Sequence, residues 1–233
     1  MGLHPELVEY SFAAIGEFFA ELTDRTLEAA GGRIDIVCVQ DDFGTQSGQL
    51  LSLPMYRRFY KPYHRRIFEA AGGIRGGRAL KAVFPGGSST PVLRPEEIDI
   101  PCCIDGIQAA GSMIGSAAIV VMDDTTCMVR VAWRLARFYR HESCGQCTPC
   151  REGTWWLEQA LTRIEYGTGT ADDIAIAVRA CEGMMGTTIC PFGDAAAMGV
   201  GSYLHKFRGE FERHVSEGRC PFHSRFTPNW ESP

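Results

Sequence analysis

Apolar side chains recur at helical spacing near the start of the chain. They are separated by one, three or four positions and fall on one side of a helix from about Pro5 to Ala30: Leu7, Val8, Phe12, Ile15, Phe18, Phe19 and Leu22. Gly31 and Gly32 end the pattern, as glycines commonly do after a helix. The sequence therefore predicts a long amphipathic helix whose apolar side faces a core.

A strand-like run follows this helix. Residues 34–39 are rich in β-branched side chains and predict a buried strand, and residues 41–46 form a polar loop at its carboxyl end. A second helix is expected from about Pro54 to Ala71. Helix, strand, loop and helix in this order are a fragment of an α/β architecture. Asp41 and Asp42 offer paired carboxylates for proton handling, but such a pair more often caps a loop and a helix, which is the interpretation we favour.

Two motifs in this segment, Asp41–Gln46 and Ser52–Tyr63, resemble the uroporphyrinogen decarboxylase and corrinoid methyltransferase family. The resemblance implies a TIM barrel with its site at the carboxyl ends of the strands, where Asp41 and Asp42 would lie. A barrel cannot close from the few βα units that residues 1–73 provide. We therefore expect a TIM-barrel-like fragment that ends at the glycine-rich residues 71–77.

Shorter elements occupy the middle of the chain. The pattern predicts strands at residues 80–84, 91–93 and 117–122 and a helix at about residues 105–110. Pro85–Ser89 lacks the lysine and the spacing of a phosphate-binding loop and predicts a tight turn. The adjacent thiols Cys102 and Cys103 would diverge in a strand, and we interpret them as bystanders.

Helical periodicity returns in the last third of the chain. Thr125 or Thr126 can cap a helix that ends near Tyr139, and Thr170 can cap another that ends near Glu182. Further helices are predicted at residues 151–166 and 194–217. Four helices with short connections indicate a C-terminal four-helix bundle. Residues 221–233 are rich in proline and predict an extended tail.

The strongest chemical signal is a run of thiols. Cys144, Cys147 and Cys150 are each separated by two residues, and Pro149 marks the start of a helix. A fourth thiol from a distant segment would complete the four thiolates that a 4Fe–4S cluster needs. Zinc also takes four thiolates, but its structural sites mostly show two separated pairs, whereas here the pattern is three plus one.

Cys181 and Cys190 are the two candidates for the fourth cluster ligand. Cys181 lies inside the helical run 172–182 and is interpreted as a core residue. Cys190 lies in the loop 187–191, where a thiol can turn towards a cluster. The sequence therefore favours Cys190.

Composition narrows the classes of function. The chain has 233 residues with 45% hydrophobic and 22% charged side chains, and a net charge of −5 gives no reason to expect nucleic acid. No signal peptide is recognised at the start, so the ten cysteines predict reduced thiols in the cytoplasm rather than disulfides. The apolar run 117–122 is too short to span a bilayer, so any association with a membrane would come through partner subunits.

Residues 73–220 resemble the C-terminal part of the NADH-binding flavoprotein subunit of respiratory complex I and of its hydrogenase and formate dehydrogenase relatives. The matching segments are Leu80–Val92, Val121–Thr126, His141–Thr154, Thr188–Cys190 and Gly193–Ala197. The resemblance implies a small β-grasp domain followed by an iron–sulfur helical domain. It also implies that Cys144, Cys147, Cys150 and Cys190 bind the 4Fe–4S cluster that takes electrons from FMN. From its position after Cys150, Arg151 is interpreted as a residue of the first helical turn, and tuning of the cluster by its charge is the alternative.

Taken together, these patterns predict an α+β protein with four parts, at residues 1–73, 74–124, 125–220 and 221–233. The favoured function is electron transfer through a 4Fe–4S cluster within an NADH-oxidising respiratory, hydrogenase or formate dehydrogenase complex. The alternatives are a decarboxylase or methyltransferase fragment and a zinc-bound scaffold. FMN and NAD belong to the full-length family, and no glycine-rich loop for nucleotide phosphates is recognised before residue 77. We therefore expect that this chain by itself does not oxidise NADH.

Overall fold

The computed structural model describes most of the chain, with several gaps in the first half. The described residues are 4–31, 44–45, 48–49, 52–70, 74, 77–100, 103–116 and 118–222. The chain divides into two compact units, one of residues 1–81 with 116–124 and the other of residues 82–115 with 125–233. The predicted strand at 34–39 and the carboxylates Asp41 and Asp42 lie outside the described residues. The barrel fragment, the division into four domains and the extended tail stay predictions.

The first unit begins with α1 (Pro5–Ala30), which ends at Gly31 in a left-handed conformation, as predicted. Its buried positions are Gly16 and Ala20, one helical turn apart. A Cβ at Gly16 would lie 2.7 Å from the Cβ of Tyr63, so this side of α1 is in close contact with the following helix. The prediction that the apolar stripe faces a core is wrong for most of its members, because close approach at small residues selects the contact side. Val8 and Phe12 are half-buried, and the ring centroids of Phe12 and Tyr60 lie 4.2 Å apart. The other large residues of the stripe are 46–61% exposed: Leu7, Ile15, Phe18, Phe19 and Leu22.

The partner of α1 is a continuous helical segment over residues 53–70, where one helix is predicted. It consists of α2 (Leu53–Met55), a π-helical stretch (Tyr56–Tyr60) and α3 (Lys61–Ala70). Pro62 has no amide hydrogen to donate to the preceding turn, which lets that turn widen. Between the gaps, β1 (Gly44–Thr45) and β2 (Gly48–Gln49) form a short antiparallel pair.

Short elements follow in the middle of the chain. β3 (Leu80–Phe84) and β4 (Val120–Asp123) are neighbours in a two-stranded sheet. The predicted strand at 91–93 is reduced to one antiparallel bridge between Val83 and Leu93. A 3-10 turn (Pro95–Glu97) and α4 (Ile104–Ala109) complete the region. The tight turn at Pro85–Ser89 is confirmed, with the Thr90 amide donating to the carbonyl of Gly87 at 3.1 Å.

Five helices follow and form most of the second unit: α5 (Met128–Glu142), α6 (Thr148–Glu165), α7 (Ala171–Met184), α8 (Phe192–Lys206) and α9 (Arg208–Glu217). The last two replace the single helix predicted at 194–217, because the backbone turns at Phe207. Thr170 caps α7 in a capping box with Asp173, as predicted. The predicted cap of α5 is wrong. Cys127 takes that position, and its sulfur accepts a hydrogen bond from the Arg130 amide at 3.3 Å.

The core of this unit lies among the five helices. Helices α5 to α8 each contact the next, α5 also contacts α8, and α9 contacts all four. The largest side chains enclosed by them are almost completely buried: Leu157, Leu161, Ile164, Ile174, Met184, Tyr203 and Phe211. Residues 82–115 pack in the same unit, where the amide of Val92 donates to the Ser202 hydroxyl on α8 at 2.9 Å. The α+β class is thus confirmed in a strongly helical form.

Within the described part of the chain, no helix has both the length and the apolar character needed to cross a membrane.

Candidate iron–sulfur site

Three of the four predicted cluster ligands lie in and just after the short connection between α5 and α6. Cys147 is the N-cap residue of α6, Pro149 stands in its first turn as predicted, and Cys150 follows one residue later. Gly145 has φ of 76°, a left-handed conformation that side chains rarely adopt. The glycine lets the chain turn tightly enough to bring Cys144 and Cys147 to the same end of α6.

Hydrogen bonds hold this connection in place. The guanidinium of Arg151 donates to the carbonyl of Gly145 at 2.8 Å and to Glu152 at 3.0 Å. The Ser143 hydroxyl accepts from the Gly145 amide at 3.3 Å and lies 3.3 Å from the sulfur of Cys150. Arg151 therefore braces the loop from the first turn of α6.

Cys190 lies in the connection between α7 and α8, immediately before the first turn of α8. The amide of Gly186 donates to the Asp194 carboxylate at 2.6 Å, and the Thr188 hydroxyl donates to the carbonyl of Cys190 at 2.8 Å. A Cβ at Gly193 would lie 2.7 Å from the Cγ2 of Thr188, so the loop packs closely on α8. These contacts hold the backbone of Cys190 in place just before the start of α8.

The two connections meet at the N-terminal end of α6. The amide of Ile189 donates to the sulfur of Cys147 at 3.4 Å, across 42 positions of sequence. Cys150 is buried and Cys147 half-buried, whereas Cys144 and Cys190 are exposed. The site is therefore anchored on its inner side and open on its outer side.

Cys181, the rival of Cys190, is a core residue, as its helical position predicts. It is 5% exposed within α7. Burial, with a smaller contribution from the charge of Glu182, raises the pKa of this thiol to about 12.

The structure brings together a second group of possible metal-ligand atoms, which the sequence did not predict. Cys127, Glu165, His214 and Cys220 offer atoms that all lie within 4.8 Å of one another. Burial and the nearby Glu165 carboxylate raise the pKa of the Cys127 thiol, and burial raises the pKa of Glu165 against the opposing charge of Arg130. No short motif joins these residues, so spacing gave no signal. Cys103 also differs from expectation, since its sulfur accepts from the Gly106 amide and caps α4.

Comparison with known proteins finds a family model that matches the part of the chain with the two connections. Residues 130–214 match the family described as NADH-ubiquinone oxidoreductase-F iron-sulfur binding region. The matched residues include all four predicted cluster ligands, so the resemblance that the motifs predict is confirmed for this part of the chain.

Individual relatives agree with this assignment, and both are F-type subunits of NADH-quinone oxidoreductase. The chain is 51% identical over 157 residues to the F-type subunit numbered 2 in Rhizobium meliloti, and the match covers 67% of this chain and 37% of the relative. It is 47% identical over 161 residues to the F-type subunit of Mycobacterium tuberculosis, covering 69% of this chain and 36% of the relative. The chain thus spans little more than a third of the length of these relatives.

Among solved structures, an NAD+-reducing NiFe-hydrogenase in the H2-reduced state is similar in fold. The TM-score is 0.54 at 28% identity, and the match covers 68% of this chain and 26% of the hydrogenase chain. An NAD+-reducing NiFe-hydrogenase in the air-oxidized state gives a TM-score of 0.53.

Proposed function

We propose that Cys144, Cys147, Cys150 and Cys190 bind one 4Fe–4S cluster, each thiolate on its own iron. The observation that carries this proposal is the hydrogen bond from the Ile189 amide to the sulfur of Cys147, because it joins the Cys190 loop to the three-cysteine loop. Three thiols in one connection and a fourth from another are the three-plus-one arrangement that favours a cluster over a single zinc ion.

The residues around the thiols fit an anionic cluster. The N-terminal end of α6 carries positive partial charge, and Cys147 and Cys150 lie on that end. The Ile189 amide supplies a hydrogen bond to a ligand sulfur, one of the features that raises the reduction potential of such clusters. Arg151 holds the loop through Gly145 and brings a positive charge beside it. A bound cluster supplies one-electron transfer, and these side chains position it and stabilise its charge.

We further propose that this chain acts within a multi-subunit NADH-oxidising complex. The support is that its relatives are named as subunits of NADH-quinone oxidoreductase and that a structural neighbour is an NAD+-reducing hydrogenase. In such a setting FMN and NAD would be bound by other parts of the assembly. The exposed side of the site, at Cys144 and Cys190, is where electrons would leave or enter.

The test is anaerobic reconstitution of the chain with iron and sulfide. We expect about four irons and four sulfides per chain, with visible absorption that dithionite bleaches. Cys147→Ala and Cys190→Ala should each lose the intact cluster. Cys181→Ala is the matched control, since it removes a thiol from the same helical unit and should keep the iron.

Two results would contradict the proposal. If Cys181→Ala lost the iron and Cys190→Ala kept it, the fourth ligand would be Cys181. If the parent chain bound no iron, the cluster itself would be excluded for this chain.

A further inference from the structure

Four side chains from separate parts of the second unit converge on one point away from the three-cysteine loop. Cys127 precedes α5, Glu165 is the last residue of α6, His214 lies on α9, and Cys220 follows α9. Cys127, Glu165 and His214 are buried, and Cys220 is half-buried. Because α5 has 15 residues, its two ends lie about 22 Å apart, so this group is separate from the thiols at the other end of the helix.

Three of the four ligand atoms lie at distances close to those in the ligand shell of a single ion, and the atom of Cys220 lies within 4.8 Å of them. The sulfur of Cys127 lies 3.3 Å from Nε2 of His214 and 4.0 Å from Oε2 of Glu165. Nε2 of His214 lies 3.8 Å from the same carboxylate oxygen. A tetrahedral zinc with bonds of about 2.0–2.3 Å holds neighbouring ligand atoms about 3.3–3.8 Å apart. The group therefore needs little movement to surround an ion.

The histidine is oriented as a ligand. Its Nδ1 lies 2.7 Å from the carbonyl of Glu210, and a carbonyl can only accept, so Nδ1 carries the proton. In the neutral ring Nε2 then has a free lone pair, and Nε2 is the atom that faces Cys127 and Glu165. A backbone carbonyl that fixes the tautomer in this way is typical of histidines that bind metals.

The carboxylate is divided between two tasks. Oε1 of Glu165 accepts from Nε of Arg130 at 2.9 Å, while Oε2 faces the thiol and the imidazole. Arg130 also donates its amide to the sulfur of Cys127 at 3.3 Å. The arginine thus steadies two of the four ligand groups from outside the site.

The charges of the group are compatible with a bound cation. When an ion binds, the two thiols give up their protons, because a metal ligand must be a thiolate. The two thiolates and the carboxylate then carry three negative charges, which a divalent cation offsets together with the nearby Arg130 and Arg134. Two sulfurs, one imidazole nitrogen and one carboxylate oxygen form a donor set that suits zinc.

We propose that Cys127, Glu165, His214 and Cys220 bind one structural zinc ion. The ion joins the start of α5, the end of α6 and the segment after α9, and so fastens the last helix to the other helices. Unlike the exposed cysteine loop, the set leaves no open position for a substrate, as expected for a structural rather than a catalytic site.

The test measures zinc and iron together on the full chain, purified without chelators and reconstituted anaerobically. We expect about one zinc per chain beside the cluster iron. Cys220→Ala should lower the zinc content at least tenfold and keep the iron, and Cys147→Ala should do the reverse. Cys181→Ala, the matched control, should keep both metals. Retained iron in Cys220→Ala shows that the variant is folded.

A second measurement covers the case in which Cys220→Ala does not fold. Cobalt(II) added to the zinc-free Cys147→Ala chain should give the visible absorption of tetrahedral thiolate-bound cobalt. Three results would overturn the proposal. These are a parent chain that binds neither zinc nor cobalt, zinc that is lost in Cys147→Ala but kept in Cys220→Ala, and a disulfide between Cys127 and Cys220 in the unreduced chain.

Discussion

Removal of the Ser202 hydroxyl tests most directly how residues 82–115 are held on the helices of the second unit. It accepts a hydrogen bond from the Val92 amide at 2.9 Å and donates to the carbonyl of Gly199 at 2.7 Å. Ser202 is 8% exposed and Val92 is fully buried, so water cannot readily replace the bond. The change Ser202→Ala removes this oxygen and leaves the surrounding chain unaltered.

The expected loss of stability depends on which group loses its hydrogen-bond partner. The amide of Val92 becomes a buried donor with nothing to donate to, and leaving such a group unsatisfied costs about 1–3 kcal/mol. The carbonyl of Gly199 lies inside α8, where the helix itself supplies a donor, so its loss adds little. We therefore expect Ser202→Ala to destabilise the attachment by about 1–3 kcal/mol.

Hydrogen exchange measures this effect locally and does not require reversible unfolding of a cluster-bearing chain. At tenfold for every 1.4 kcal/mol, the amides of residues 92–94 should exchange about 5- to 150-fold faster in the variant. Peptides outside the second unit, such as those of α1, should change less.

The matched control is Ser216→Ala. Ser216 donates to the carbonyl of Arg213 at 3.2 Å on the exposed side of α9, and its loss should stay within about 0.5 kcal/mol. If Ser202→Ala also changed exchange at residues 92–94 by less than twofold, the buried bond would not hold this segment and the reasoning would be refuted.

Two further predictions concern the ends of α6 and the start of α7. Burial alone would raise the pKa of Asp173, but hydrogen bonds from Arg163 and Thr170 outweigh it and hold the pKa below its ordinary value. This stabilisation is present at neutral pH and is lost as the pH falls through the lowered pKa. Asp173→Asn should therefore lower the free energy of unfolding, measured by urea denaturation, by about 1 kcal/mol at pH 7 and by little in acid. An equal loss at both pH values would contradict this prediction. Gly167 has a φ of 79° and a Cβ there would meet the carbonyl of Gly218, so Gly167→Ala should lower the free energy of unfolding by at least about 1 kcal/mol. Gly209 lies in open space on α9, so Gly209→Ala should raise the free energy of unfolding by about 0.5–1 kcal/mol. Denaturation midpoints that shift in the same direction for both glycine variants would refute this.

Local signals in the sequence predicted much of the site. The spacing of Cys144, Cys147 and Cys150, with Pro149 among them, located the loop and the start of α6, because the chemistry of each residue acts within one turn. The choice of Cys190 over Cys181 stays a prediction for the ligand itself. The burial of Cys181, which its place within a helical run predicted, is confirmed.

Features that depend on tertiary contacts could not be predicted from the sequence. The cap of α5 was assigned to Thr125 or Thr126 on propensity, whereas the structure uses Cys127, whose sulfur also faces Glu165 and His214. For α1, counting apolar residues identified the helix but not its contact side. That side is set by a close approach at Gly16, which hydrophobicity does not reveal.

The difference in exposure between the two groups of thiols bears on the order in which the protein matures. Cys144 and Cys190 are at the surface, so proteins that deliver iron and sulfide can reach them after the helices have formed. Cys127 and His214 are enclosed by the finished fold, so an ion enters there faster while α9 is still closing over the site than after it has closed. Zinc would then enter mainly during folding and iron afterwards, and the two metals need not compete for the same thiols.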